Sequence, residues 1–123
     1  MSTRKTILTV DDSRTIRDML KATLAGAGYD VVQAEDGVEA LERLAESRPA
    51  AIVTDINMPR MDGFELIEEV RRGAAHRATP ILVLTTESEP DRKARAKEAG
   101  ATGWIVKPFN PEKLLEALRR VGA

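Results

Sequence analysis

Five short runs of apolar and β-branched residues recur along the chain, and each is followed by a stretch whose apolar residues return every three or four positions. The runs are Thr6–Val10, Asp30–Ala34, Ala51–Thr54, Pro80–Thr85 and Gly103–Val106. Three of them contain I-L-T-V, A-I-V-T and I-L-V-L, nearly unbroken apolar stretches of the kind that strands covered on both faces carry. Strict alternation of strand and helix patterns predicts a parallel sheet with helices on both sides, an α/β fold of (βα)₅ form.

The helical stretches carry their own boundaries. The first places Ile16, Met19, Leu20, Leu24 and Ala27 on one face and stops at Gly28. In the second, Asp36 and Glu39 have the spacing of a capping box ahead of Val38, Leu41 and Leu44. The third repeats the device with Asp62 and Glu65, then Phe64, Ile67 and Val70. The fifth opens on Asn110 as cap with Pro111 at its first position, followed by Leu114, Leu115, Leu118 and Val121. The fourth is different. Between Pro90 and Ala99 its only apolar residues are Ala94, Ala96 and Ala99, set among Arg92, Lys93, Arg95 and Lys97. Such a helix has little to bury and is predicted to be the least firmly held.

Composition then excludes function classes. The 123 residues suit one domain over 1–123, with no linker or repeat, and a chain of this length buries roughly two-thirds of its unfolded surface. With no cysteine, disulfides, thiolate metal sites and cysteine nucleophiles are excluded. The single histidine, His76, excludes a multi-histidine zinc site and reads as a loop residue in the polar stretch from Gly73 to Thr79. A net charge of −1 leaves no basic stripe for nucleic acid, and Tyr29, Phe64, Trp104 and Phe109 are too few for a base-stacking platform. No leader or membrane-spanning stretch is visible, so the expected location is the cytoplasm.

The candidate chemistry lies at the ends of the predicted strands, where open α/β sheets bind their ligands. The first run ends in Asp11-Asp12, the third in Asp55, the fourth in Thr85-Thr86 and the fifth in Lys107-Pro108. Singly, each has an ordinary reading as a turn, cap, β-branched strand residue or exposed terminus. If the strands are parallel, all four clusters meet on one edge. Three gathered carboxylates repel one another unless a cation joins them, and an all-oxygen site with few protein ligands suits Mg²⁺. Lys107 would then face an anionic oxygen, with Thr85 as a hydroxyl donor.

The segments V-D-D (Val10–Asp12), D-I-N-M-P-R-M-D-G (Asp55–Gly63), L-T-T-E (Leu84–Glu87) and G-W-I-V-K-P-F (Gly103–Phe109) resemble the receiver domains of two-component response regulators. The likeness covers the whole chain and is greatest to CheY-like, single-domain, chemotaxis-type receivers. It implies a doubly wound, flavodoxin-like sheet of order 2-1-3-4-5. It also implies that Asp55 is the phosphoacceptor and that Mg²⁺ is held by Asp12, Asp55 and the backbone carbonyl of Asn57, with Asp11 reaching it partly through water. Lys107 would contact the phosphoryl group, and the Lys107–Pro108 bond would be cis, which turns the ammonium into the site. Thr85 would be the switch hydroxyl. Trp104 stands where the family more often has Tyr or Phe as its switch aromatic. Asn57 and Glu87 would flank the path of the water that removes the phosphoryl group and tune its lifetime.

The implied partners are a sensor histidine kinase or phosphotransfer protein, and a downstream protein target on the face of the fourth helix, fifth strand and fifth helix. The basic fourth helix suggests an acidic segment there. The protein is expected to be a monomer that supports its own phosphorylation and dephosphorylation rather than a turnover enzyme. A phosphorelay or adaptor receiver is the alternative. An aspartate-nucleophile phosphatase of the haloacid dehalogenase type is disfavoured, because Asp11-Asp12-Ser13 lacks the Asp-x-Asp spacing and no cap domain is present. A receiver-like module that never takes phosphate would usually lack the acceptor, an acid or the lysine, and all are present. A piece of a larger DNA-binding regulator is disfavoured because Val121-Gly122-Ala123 follows the last helix with no linker.

Overall fold

The computed structural model describes residues 4–86 and 88–123. Five strands and five helices alternate as β1 (Thr6–Val10), α1 (Arg14–Gly26), β2 (Asp30–Ala34), α2 (Gly37–Glu46), β3 (Ala51–Thr54), α3 (Gly63–Arg72), β4 (Ile81–Thr85), α4 (Pro90–Ala99), β5 (Gly103–Val106) and α5 (Pro111–Arg120). Every strand pair is parallel and the order is β2-β1-β3-β4-β5, the doubly wound arrangement expected from the sequence. The β4 run starts one residue later than its apolar pattern suggests, at Ile81. Pro80 has no amide hydrogen to offer a ladder, although its carbonyl accepts from the Ile52 amide at 2.9 Å.

Because side chains alternate across a sheet, each central strand feeds two cores. Leu8, Val10, Ile52, Ile81 and Val83 pack with Ala40, Leu44, Phe64, Ile67 and Val70 on the side of α2 and α3. Ile7, Ala51, Val53, Leu82 and Leu84 pack with Leu20, Leu24, Leu114 and Leu118 on the side of α1 and α5. Apolar residues fill both faces, which is why the strand sequences run nearly unbroken.

Helix starts follow the cap signals with one difference. Asp62 and Glu65 form a reciprocal capping box on α3. On α2, Asp36 accepts from the Glu39 amide, but the Glu39 carboxylate reaches one residue further back, to the amide of Glu35 at 2.7 Å.

The weakly apolar α4 buries only Ala96, against five residues of α3. Ala99 packs partly buried on the same core, and arginines add further attachments. The Arg95 guanidinium lies 4.1 Å from the centre of the Phe64 ring, a cation–π contact onto the first turn of α3. Arg71 of α3 donates to the carbonyls of Gly100, His76, Arg77 and Thr79, tying the end of α4 to the loop before β4. His76 is a loop residue, with Nε2 3.1 Å from the Leu44 carbonyl oxygen.

One polar atom sits poorly. Thr9 is fully buried in β1, and its hydroxyl has no hydrogen-bond partner among the described residues. Thr9→Val keeps the shape and removes the unpaired group, so it is expected to raise stability by about 1 kcal/mol. Urea denaturation measures this, and a lower midpoint for the variant contradicts the assignment.

Candidate functional site

The strand order places the site. The chain leaves β1 toward β2 and then crosses to β3 on the other side, so a crevice opens between the carboxyl ends of β1 and β3. Asp11 ends β1 there, only 1% exposed. Its amide donates to the Ala34 carbonyl at 3.1 Å, its Oδ1 accepts from the Ser13 amide at 2.9 Å, and its carbonyl accepts from Arg17 at 2.7 Å. Ser13 also caps α1, through a hydroxyl that accepts from the Ile16 amide. The first acid is therefore held by strand, cap and helix together.

Asp55 ends β3. Its amide donates to the Val10 carbonyl at 2.9 Å, and its carbonyl accepts from the buried Thr54 hydroxyl at 2.9 Å. Oδ1 accepts from the Ile56 amide at 2.7 Å. The other oxygen faces Lys107.

Lys107 enters from the end of β5, its amide held by the Thr85 carbonyl at 2.8 Å and its bond to Pro108 cis. Its ammonium donates to Asp11 Oδ2 at 2.8 Å and to Asp55 Oδ2 at 3.0 Å. Burial pulls the lysine pKa down, but the two carboxylates outweigh it and hold the group above its ordinary value. For Asp11, burial is the largest influence and raises its pKa, against the opposing pull of Lys107 and the Ser13 amide.

Asp12 is exposed beside this pair, and one carboxylate oxygen from each of Asp11, Asp12 and Asp55 lies within 4.8 Å of the others. The ammonium balances one of these three charges. A compact set of hard oxygen donors with excess negative charge fits a small divalent cation such as Mg²⁺.

The remaining predicted residues are distributed around this centre. Thr85 is fully buried at the tip of β4, next to the strand that delivers Lys107. Asn57 is exposed on the loop that follows Asp55. Trp104 lies on the edge strand β5, half-buried, and lines a groove of about 220 Å³ with Lys93, Ala96 and Lys97 of α4. Glu87 lies outside the described residues.

The profile of the response regulator receiver domain matches residues 7–119. The chain belongs to that family. The receiver is 44% identical over 117 residues to the chemotaxis protein CheY1 of Helicobacter pylori, covering 94% of both chains. It is 43% identical over 113 residues to the response regulator MprA of Mycobacterium leprae, covering 92% of this chain but 49% of that one. Among solved structures, the Vibrio cholerae chemotaxis protein CheY4 superposes with a TM-score of 0.93 at 50% identity, covering 97% of the receiver and 99% of that chain. The receiver domain of the sensor histidine kinase PA1611 from Pseudomonas aeruginosa, which carries a magnesium ion in its active-site cleft, superposes at 0.90 with 29% identity over 98% of this chain and 100% of that one.

One contact of the loop after Asp55 has no signature in the sequence. Asp36, read only as a helix cap, also accepts from Arg60 Nε at 2.7 Å and Nη2 at 3.1 Å. Arg60 belongs to the loop after Asp55, and nothing in its own segment points to a partner 24 residues earlier. The sequence carries no signal for it, because the burial of Asp36 is set by tertiary packing. The Arg60 hydrogen bonds, above all, hold the Asp36 pKa below its ordinary value.

Two outcomes are expected. Mg²⁺ at a hundred times its dissociation constant should stabilise the wild type by about 2.7 kcal/mol, as any ligand specific to the native state does. Asp12→Asn should lose most of that increment while gaining roughly 0.5 kcal/mol without metal through relief of repulsion. Thermal melts with Mg²⁺ and with a chelator check both. The second concerns pH. A depressed native pKa means that ionised Asp36 contributes stability above the unfolded-state value of about 4, and that this is lost as pH falls through the lower native value. The stability advantage of wild type over Asp36→Asn should therefore be constant near neutrality and vanish at acid pH. A difference that persists to the lowest pH contradicts the ion-pair assignment.

Proposed function

We propose that this receiver is a stand-alone, chemotaxis-type response regulator in which Asp55 takes a phosphoryl group from the phosphohistidine of a sensor kinase or phosphotransfer protein. The carrying observation is the Lys107 ammonium seated between Asp11 and Asp55, with Asp12 completing the acidic pocket. The near-complete mutual coverage with CheY1 and CheY4 supports the stand-alone form and the chemotaxis role. The whole chain is then one receiver module.

In this reading a carboxylate oxygen of Asp55 attacks phosphorus in line, forming an O–P bond as the P–N bond to the donor imidazole breaks. Asp11, Asp12, Asp55 and the carbonyl of Asn57 would hold Mg²⁺, which supplies positive charge to the equatorial phosphoryl oxygens. Lys107 contributes a second positive charge from a fixed position, so the protein's share of catalysis is positioning and electrostatics. The backbone amide of Ile56 keeps the acceptor carboxylate in one orientation. The Asn57 side chain flanks the approach of the hydrolytic water, which makes the signal transient.

The phosphoryl group adds a charge of roughly −1.5 to −2 at the sheet edge. Converting a 1:99 mixture of states to 99:1 takes about 5.5 kcal/mol of differential stabilisation. One charge-assisted hydrogen bond contributes roughly 1.5–3 kcal/mol, so Thr85, Lys107 and the cation must act together. The Thr85 hydroxyl moves toward the phosphoryl oxygens, the loop after β4 follows, and Trp104 re-seats beside α4. The α4–β5–α5 face then receives the target. Support for that face comes from exposed Val106, the groove beside Trp104 and the lysines of α4, which suit an acidic segment.

Incubation with acetyl phosphate, followed by intact mass, tests the reading. Wild type should gain one phosphoryl group only when Mg²⁺ is present and lose it well within hours. Asp55→Asn should gain none. Thr85→Ala should be modified like wild type yet lose most phosphorylation-dependent target capture. An unmodified wild type ends the proposal, and full output from Thr85→Ala ends the coupling scheme.

A further inference from the structure

The loop that joins β3 to α3 carries the acceptor at one end and is tied down at two places. At its base, the Gly63 amide donates to the Ile56 carbonyl at 2.8 Å, and a Cβ on Gly63 would stand 2.3 Å from the Asp55 carbonyl oxygen. At its tip, the Gly37 amide donates to the Met61 carbonyl at 3.1 Å, and a Cβ on Gly37 would stand 2.6 Å from Met61 Cγ. The Arg60–Asp36 fork lies beside that second tie. Asn57, Met58 and Pro59 span the gap between base and tip.

The conformation of Arg60 is unusual for its type. Its φ is +65°, the one positive value on a non-glycine among the described residues. A glycine would adopt this backbone without the steric cost a side chain incurs. The guanidinium makes a bidentate, charge-assisted contact to a carboxylate that is only 4% exposed. That carboxylate is itself immobilised by capping α2. The loop tip is therefore fastened to a rigid helix start, not to a mobile surface group.

We propose that Arg60, braced on Asp36, is a positioning residue for the phosphorylation site: it holds the loop so that the Asn57 backbone is already presented to the acidic pocket before a cation arrives. The inference rests on the function proposed above. It goes beyond it by making cation affinity depend on an ion pair that touches neither the cation nor the phosphoryl group. Without the brace, the loop samples other arrangements, and part of the binding energy of the cation is spent on ordering it.

Calorimetric titration of Mg²⁺ into the metal-free full chain, well below the melting midpoint, is the test. Arg60→Gly deletes the fork while easing the left-handed backbone. Asp36→Asn deletes the charge while keeping a good helix cap. Each is expected to weaken Mg²⁺ binding roughly tenfold, the low end of what outer-shell partners contribute. The double variant should be no weaker than the weaker single, since both remove the same contact. Leu24→Val, a core trim in α1 far from the loop, supplies a destabilised control that should bind Mg²⁺ like wild type. Unchanged affinity in Arg60→Gly and Asp36→Asn, additive losses in the double variant, or an equal loss in Leu24→Val overturns the inference. In each of those cases wild type still binds Mg²⁺ and is modified at Asp55, so the functional reading stands. A wild type that neither binds Mg²⁺ nor gains a phosphoryl group overturns both.

Discussion

The rest of the molecule is organised around one crowded electrostatic contact, the Lys107 ammonium between the carboxylates of Asp11 and Asp55. Groups of like charge can be brought this close at the edge of a protein interior only if something opposite accompanies them. One lysine meets that need incompletely, and the shortfall leaves an acidic pocket of the composition that suits a hard cation. Each partner arrives from a different strand, so the contact exists only if the sheet has formed with β1 between β2 and β3, and β5 at the edge.

The scaffold shows why such a pocket can be built reliably. The central strands are apolar on both faces and sandwiched between two helical layers, which leaves little freedom in register. A one-residue slip of β3 would bury the carboxylate of Asp55 in a core and expose an aliphatic side chain. Backbone hydrogen bonds then finish the placement. The amides of Ser13 and Ile56 each occupy one oxygen of their acid, leaving the opposite oxygens to the lysine. Charge is thus aimed by geometry that hydrophobic packing enforces.

Away from the pocket, arginines tie several loops and helix ends together. Arg60 fastens the loop after Asp55 to α2, Arg71 gathers four carbonyls around the end of α4, and Arg95 lies on the ring of Phe64. Phe64 follows Gly63, which packs closely on the Asp55 backbone, so a short path of contacts joins Asp55 to α4. A helix anchored by one fully buried alanine, a partly buried second one and a cation–π contact can shift at modest cost.

Much of this was legible in the chain itself, because alternation, caps and strand-end acids are local properties. Apolar patterning located the five strands nearly to the residue, patterning with cap and stop signals placed the five helices, and the motifs around Asp11, Asp55, Thr85 and Lys107 pointed to the family that the comparisons then established. Other features depended on pairs distant in sequence. That Asp36 is both cap and counter-ion, that Arg60 adopts a left-handed backbone, and that the Thr9 hydroxyl is buried without a hydrogen-bond partner among the described residues follow from how the elements pack. Local pattern specifies which residues a helix or strand will bury. Which charged side chains then meet across loops is settled only when the layers pack, since such contacts add little individually and leave no periodic trace in the sequence.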